Sequence, residues 1–72
     1  MKDSSISNRV KELRKNKGLT QEQLAEDAQL NFRTIQRIEY NESTPRGDTL
    51  KRISDSLKVS ENDVVGFKVK ED

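Results

Sequence analysis

The sequence contains no cysteine and no histidine among its 72 residues. Without cysteine, neither disulfides nor thiolate metal sites can form, which fits a reducing cytoplasm. Without histidine, catalytic triads, imidazole general bases and histidine-ligated zinc are excluded, and only carboxylates and lysines are left as candidate catalytic groups. We therefore expect that the chain is not an enzyme and has no cofactor or metal site.

Long apolar runs are missing too. No stretch approaches the roughly 20 residues that a transmembrane helix needs, and the N-terminus lacks the pattern of a signal peptide. A chain of 72 residues makes one small domain, whose core supplies only about 3 to 5 kcal/mol of net stability. We expect a soluble, cytoplasmic domain that depends on efficient helix packing.

Charge is balanced overall but uneven along the chain. The 14 basic and 13 acidic residues give a net charge of +1. Residues 1–19 hold six basic and two acidic side chains, residues 20–31 hold three acidic and no basic ones, and residues 32–46 hold three basic and two acidic ones. Because counterion release depends on local phosphate neutralisation, such a domain can still bind DNA through a modest number of contacts.

Residues 19–39 have the pattern of two short amphipathic helices separated by a three-residue turn. Thr20 followed by Gln23 is a capping box, and Leu19 before the cap can pack onto Leu24 inside the helix. This is the pattern of a helix start, and it predicts the first helix of a helix-turn-helix.

The second helix of this pair is predicted to start at Asn31. Leu30 and Ile35 repeat the arrangement of flanking apolar residues, and Ala25 is small enough to let the second helix cross close to the first. The predicted crossing is that of a DNA-reading helix-turn-helix.

The outer face of the second helix is basic and polar. Ile35 and Ile38 point to one side, which leaves the opposite side to Arg33, Gln36, Arg37 and Tyr40. Arginine can bind guanine O6 and N7 in a major groove, and glutamine can pair with adenine. An ordinary solvated face would have the same composition, so this helix alone does not decide between the two interpretations.

Three further helices are predicted around this pair. The first runs from about residue 7 to residue 17 with Gly18 as its C-terminal cap, residues 41–47 form a loop, and Asp48 caps the fourth helix. Ser60 caps a short fifth helix with Asp63 in the capping-box position. The expected fold is all-α.

The C-terminal residues allow three interpretations. From Val65 the apolar residues alternate, with Phe67 and Val69 at period two, which indicates a short edge strand, a tail folded onto the core, or the start of a linker. We assign residues 1–65 to the domain and 66–72 to a tail or linker. As an edge strand, Val65, Phe67 and Val69 could pair with a second copy in a dimer.

The motifs together resemble the phage repressor and Cro-type helix-turn-helix family, also called the xenobiotic-response-element family. The similarity covers roughly residues 5–65, and each motif alone is weak, but their order and spacing are specific. They lie at residues 5–14, 18–21, 24–25, 34–35 and 38–39, at Pro45 and at residues 57–60.

The resemblance implies a compact five-helix, lambda-repressor-like domain whose third helix, about residues 32–40, enters the major groove. The implied partner is double-stranded DNA, bound by a homodimer on paired half-sites, and no small-molecule substrate is evident. The positions that match the family's base-facing residues are Phe32, Arg33, Gln36 and Arg37.

Other positions match the family's backbone contacts and a structural pair. Gln21 matches a residue that grips a phosphate at a helix start, Asn41 matches a loop phosphate contact, and Arg46 matches a basic residue near the minor groove or backbone; Tyr40 is assigned to the backbone as well. Arg14 and Glu39 match a pair that joins the first helix to the end of the third, which we interpret as structural.

Two residues depart from the family pattern. Gln29 stands where glycine is usual, in a turn position that often needs a positive φ; a side chain there costs roughly 1 kcal/mol and predicts a slightly remodelled turn. Phe32 replaces a residue that is usually polar, and it could touch a thymine methyl group or pack beside Leu24. The base preference of relatives therefore does not transfer to this chain.

Alternative functions follow from the same residues. A protein-interaction module, such as an antitoxin or controller, is favoured if Phe32, Tyr40 and Phe67 form one exposed apolar patch. The chain could also be the N-terminal reading head of a longer sensor or membrane-attached regulator. Glu22, Glu26 and Asp27 cluster on one helix, but a solvated face explains them better than an active site.

Overall fold

The computed structural model describes residues 6–65, and these residues form five helices and no strand. The expected all-α, five-helix class is confirmed. In chain order the helices are α1 Ile6–Asn16, α2 Gln21–Asp27, α3 Phe32–Glu39, α4 Gly47–Leu57 and α5 Glu61–Val65.

All five helices contribute to a single core. Helix α3 packs against α1 and α2, while α4 packs against α2 and α5, and α5 also contacts α1. Ile35 and Ile38, which periodicity places on the inner side of α3, are buried, and Ile6, Leu13 and Leu50 are partly buried at the margin of the core. The core cluster consists of Val10, Leu24, Ala25, Ile35, Ile38, Ile53, Leu57 and Val64.

The predicted N-caps of α2 and α3 are confirmed. Thr20 Oγ1 accepts the N–H of Gln23 at 3.0 Å, and the Gln23 side chain accepts the N–H of Thr20 at 2.9 Å. Asn31 accepts the N–H of Arg33 at 3.0 Å. These bonds satisfy helix-start donors that would otherwise have no partner within the helix.

The capping box of α5 is confirmed as well. Ser60 Oγ accepts the N–H of Asp63 at 3.2 Å, and Asp63 Oδ2 accepts the N–H of Ser60 at the same distance.

The prediction that Asp48 caps α4 is wrong. The helix begins one residue earlier, at Gly47, with Arg46 as the N-cap and no side-chain capping bond. Gly47 has φ +49°, a conformation that only glycine adopts without cost, and this moves the start of the helix forward. Asp48 lies in the first turn, where a carboxylate favours the helix dipole, and accepts a hydrogen bond from Arg52 Nε at 2.8 Å.

Four helices are followed, within two positions of their last residue, by a residue in the left-handed region. In each case the residue that follows donates its N–H to a carbonyl five positions back, as in a Schellman motif. The bonds are Leu19 to Arg14 at 3.1 Å, Leu30 to Ala25 at 2.8 Å, Glu42 to Arg37 at 2.7 Å and Val59 to Ser54 at 3.0 Å. The left-handed residues are Gly18, Gln29, Asn41 and Lys58.

Gln29 keeps the conformation that glycine would have. Its φ is +58°, and its N–H donates to the carbonyl of Glu26 at 3.1 Å, so the turn is not remodelled as the sequence had indicated. Arg52 Nη1 donates to the Gln29 carbonyl at 3.3 Å. The turn therefore keeps the geometry usual for glycine, and the side chain of Gln29 at positive φ destabilises the folded domain.

The ends of the described range differ slightly from the prediction. Helix α1 starts and ends one residue earlier than expected. Val65 belongs to α5, so it does not begin the alternating segment; the helical hydrogen bonding that Ser60 initiates extends to it. Phe67 and Val69 lie outside the described residues.

The longest helices in residues 6–65, α1 and α4, have 11 residues each. No helix in that range has both the length and the apolar character needed to cross a membrane.

Replacing Gln29 by glycine is expected to stabilise the domain. The substitution removes the cost of a side chain at positive φ, about 1 kcal/mol, which for a domain of this size raises the melting temperature by about 4 to 8 °C. Gly18→Ala is the matched control, because Gly18 has φ +73° and open space around its missing Cβ; it should lower the melting temperature by a similar amount. A Q29G melting curve at or below that of the parent would contradict the strain at this turn.

Candidate nucleic-acid interface

Helix α3 presents its polar side away from the core. Ile35 and Ile38 are buried, Arg33 and Arg37 are exposed, and Gln36 is half-buried. Because α3 has eight residues, these side chains occupy about two turns. The periodicity that separated the two faces in the sequence therefore agrees with the burial pattern.

Four of the predicted DNA-contacting residues surround one shallow depression of about 260 Å³, here called the α3 depression. Tyr40, the C-cap of α3, is one of the lining residues, and 60% of the Tyr40 surface is exposed. Glu42, which the sequence analysis did not single out, also lines it. The full lining is Arg33, Gln36, Arg37, Tyr40 and Glu42.

Phe32 lies at the first position of α3 and does not line this depression. It is 37% exposed, so part of the ring is packed and part is available to a ligand. Both sequence interpretations of Phe32, packing and contact with a thymine methyl group, are compatible with this position.

Arg14 and Glu39 form a buried two-point ion pair. Arg14 Nε donates to Glu39 Oε2 at 2.6 Å and Arg14 Nη2 donates to Glu39 Oε1 at 3.0 Å. The side chain of Glu39 is fully buried, and that of Arg14 is 11% exposed. Bidentate, charge-assisted bonds are among the strongest polar contacts in proteins, and this pair attaches the end of α3 to α1.

Further hydrogen bonds bring the start of α2 into the same cluster. Arg14 Nη1 donates to the carbonyl of Leu19 at 2.7 Å, and Gln21 Nε2 donates to Glu39 Oε1 at 3.0 Å. Ser7 Oγ donates to the backbone carbonyl of Glu39 at 3.0 Å. The buried carboxylate of Glu39 thus accepts hydrogen bonds from side chains of α1 and α2. The backbone carbonyl of Glu39 accepts a further hydrogen bond from α1.

Sequence reasoning missed Ser7 as part of this cluster. A signal was present, because Ser7, Val10 and Arg14 are spaced by three and four residues and therefore share one face of α1. Gln21 was assigned to a phosphate, and in the structure its amide nitrogen is bonded to Glu39. One N–H of that amide is not used in this bond, so the bond to Glu39 leaves Gln21 a donor for a second partner.

The remaining predicted backbone contacts lie on the segment after α3. Asn41 is exposed and adopts φ +62° directly after Tyr40, the C-cap of α3. Arg46 is exposed in extended conformation before α4. Neither lines the α3 depression. Buried Pro45 anchors the loop next to Arg46.

Comparison with known proteins identifies the family. The helix-turn-helix family model matches residues 10–64, which includes all five helices at least in part. The chain belongs to the helix-turn-helix family, in its phage repressor and Cro type.

The solved structures that resemble the chain include the following two. A chain of the SinR protein/SinI protein complex is 33% identical with a TM-score of 0.77, covering 82% of this chain and 58% of that chain. The NMR structure of the DNA-binding domain of the P22 C2 repressor is 24% identical with a TM-score of 0.81, covering 86% of this chain and 82% of that one. No curated protein matches the chain. The present chain thus spans little more than half of the SinR complex chain.

Removing one partner of the buried ion pair should unfold the domain. Glu39→Ala leaves the Arg14 guanidinium without its counter-ion at a buried site, at a cost of about 3 to 5 kcal/mol, comparable with the whole stability of so small a domain. Far-ultraviolet circular dichroism with thermal melting measures the loss of helix.

The exposed pair Lys51–Asp55, with side chains 65% and 68% exposed, supplies the control. Asp55→Ala should change the stability by less than about 0.5 kcal/mol. A Glu39→Ala variant that melts like the parent would show that the ion pair does not hold the fold together.

Proposed function

We propose that the chain binds double-stranded DNA sequence-specifically as a transcriptional regulator, with α3 in the major groove. The observation that carries this proposal is the exposed polar side of α3, with Arg33, Gln36 and Arg37 around the α3 depression. A helix in the major groove reads bases through such side chains. The proposal is supported by the similarity of the fold to that of the P22 C2 repressor domain, which is described as a DNA-binding domain.

Phe32, Arg33, Gln36 and Arg37 are the proposed base-reading residues. Arginine and glutamine offer paired donors or a donor and an acceptor to base edges, and the exposed part of Phe32 offers an apolar contact to a thymine methyl group. Fixing α3 at both ends, by Asn31 and by the buried Glu39, reduces the freedom that these side chains lose on binding.

Contacts to phosphates are proposed for Gln21, Tyr40, Asn41 and Arg46. They lie at the start of α2 and on the segment that follows α3, and such contacts position a helix on the duplex without reading sequence. Arg46 is the only one of the four with a full positive charge, so it should dominate the salt dependence among them.

A dimer on DNA is part of the proposal. One domain offers a single short recognition helix and few phosphate contacts, so tight binding requires two copies on half-sites about one helical turn apart. A DNA-reading role also supports the expectation of a cytoplasmic protein.

A protein-interaction function is the second candidate. Phe32, Tyr40 and Val65 are large hydrophobic side chains exposed on the described part of the chain, and the SinR match belongs to a complex between two proteins. Because the chain spans 58% of that SinR complex chain, the domain is also compatible with the reading head of a longer regulator.

Selection of bound duplexes from a random pool tests the DNA-binding proposal. We expect the 72-residue chain to enrich one sequence motif, arranged as two half-sites whose centres are about 34 Å apart. Failure to enrich any motif, combined with binding to a protein partner, would favour the second candidate.

Loss of either recognition arginine should weaken binding and relax specificity. Arg33→Ala or Arg37→Ala is expected to cost about 1 to 3 kcal/mol on the selected site and to remove the preference at one base pair. Titration of selected and scrambled duplexes at several salt concentrations measures both effects.

Arg46→Ala is the comparison variant for these titrations. It should weaken binding to both duplexes about equally and reduce the salt slope by about one unit. Equal weakening of both duplexes by Arg33→Ala and Arg37→Ala would instead assign those arginines to phosphates.

A further inference from the structure

Glu42 places a negative charge beside the proposed base-reading residues. It is exposed and lines the α3 depression together with Arg33 and Arg37. Residues 32–46 contain two acidic side chains, Glu39 and Glu42, and Glu39 is buried against Arg14. Glu42 is therefore the one solvent-facing acid between the start of α3 and the start of α4.

The carboxylate of Glu42 has no protein partner within residues 6–65. The ion pairs in this range join other residues, and the hydrogen bond of Glu42 in the range is made by its backbone N–H, not by its side chain. Neither Arg33 nor Arg37, which line the same depression, forms an ion pair with it. A charge that is free here remains available to whatever approaches the α3 depression.

Stability does not account for Glu42 either. The residue follows the C-terminus of α3, where the helix dipole disfavours a negative charge. Its backbone is fixed, because its N–H donates to the Arg37 carbonyl at 2.7 Å directly after left-handed Asn41. The backbone of Glu42 is thus held close to the end of α3, and its carboxylate does not stabilise that helix.

A carboxylate is repelled by phosphates but can accept hydrogen bonds from base edges. An ionised carboxylate only accepts hydrogen bonds, and a phosphate is also a negatively charged acceptor, so the two repel each other. In the major groove, the amino group of cytosine donates to a carboxylate. A bond of this kind is charge-assisted and about twice as strong as a neutral one.

We propose that Glu42 is a specificity-determining residue for DNA. Its carboxylate is accommodated where a cytosine amino group faces it and is repelled by phosphates elsewhere, so it weakens non-specific binding more than specific binding. This rests on the DNA-binding function proposed above and adds to it a repulsive element of discrimination.

Glu42→Gln tests the proposal because it keeps the shape of the side chain and removes its charge. The probes are the duplex that the wild-type chain selects and a scrambled duplex of the same composition. We expect the ratio of the two affinities to fall about tenfold, the equivalent of one base contact of about 1.4 kcal/mol. The salt dependence on the scrambled duplex should become steeper, and melting should show a domain at least as stable as the parent.

Glu61→Gln is the matched control. It changes the net charge by the same amount at an exposed position of α5, a helix that packs on α1 and α4, and it should leave the affinity ratio unchanged. An unchanged ratio in E42Q, or an equal fall in E61Q, would overturn the role of Glu42. A wild-type chain that enriches no duplex would instead overturn the DNA-binding function and this inference with it.

Discussion

The carboxylate of Glu39 is the point on which the arrangement of the first three helices depends. Buried ionic groups are costly unless every lone pair is satisfied, and here both oxygens accept from Arg14, with Gln21 adding a further bond. Because Arg14 also binds the Leu19 carbonyl, the end of α1, the start of α2 and the end of α3 meet at one place. The hydrophobic effect that stabilises the core is non-directional. These hydrogen bonds require a narrow range of lengths and angles, and they therefore specify the orientation of α3 against α1 and α2.

The opposite end of α3, its start, is set by backbone geometry. Gln29 in the left-handed region lets α2 stop and reverses the chain toward Asn31, which caps α3. Arg52 donates to the Gln29 carbonyl and accordingly connects α4 to this turn. Polar bonds at one end and a left-handed turn at the other hold α3 so that its outer side stays free of the core.

Periodicity and capping signals were sufficient for much of the fold. The helix starts at Thr20, Asn31 and Ser60 depend on local hydrogen bonds between near neighbours, and such bonds are visible as short-range patterns. The start of α4 was missed because Gly47 adopts a positive φ, and Asp48 looked like a cap without being one. The cluster around Glu39 joins residues 18 to 32 positions apart, which local patterns do not encode, and Glu42 was overlooked because an exposed acid after a helix has no distinctive spacing.

Because α3 is short, its ligand-facing side is present only in the folded fraction of molecules. Helices of eight residues are not stable alone in water, so the polar side of α3 exists only in molecules whose whole domain is folded. The apparent affinity of any ligand for that side therefore scales with the folded fraction. In a domain of such limited stability, a change in the core far from α3 can lower occupancy of the ligand without altering a single contact to it, and warming would do the same.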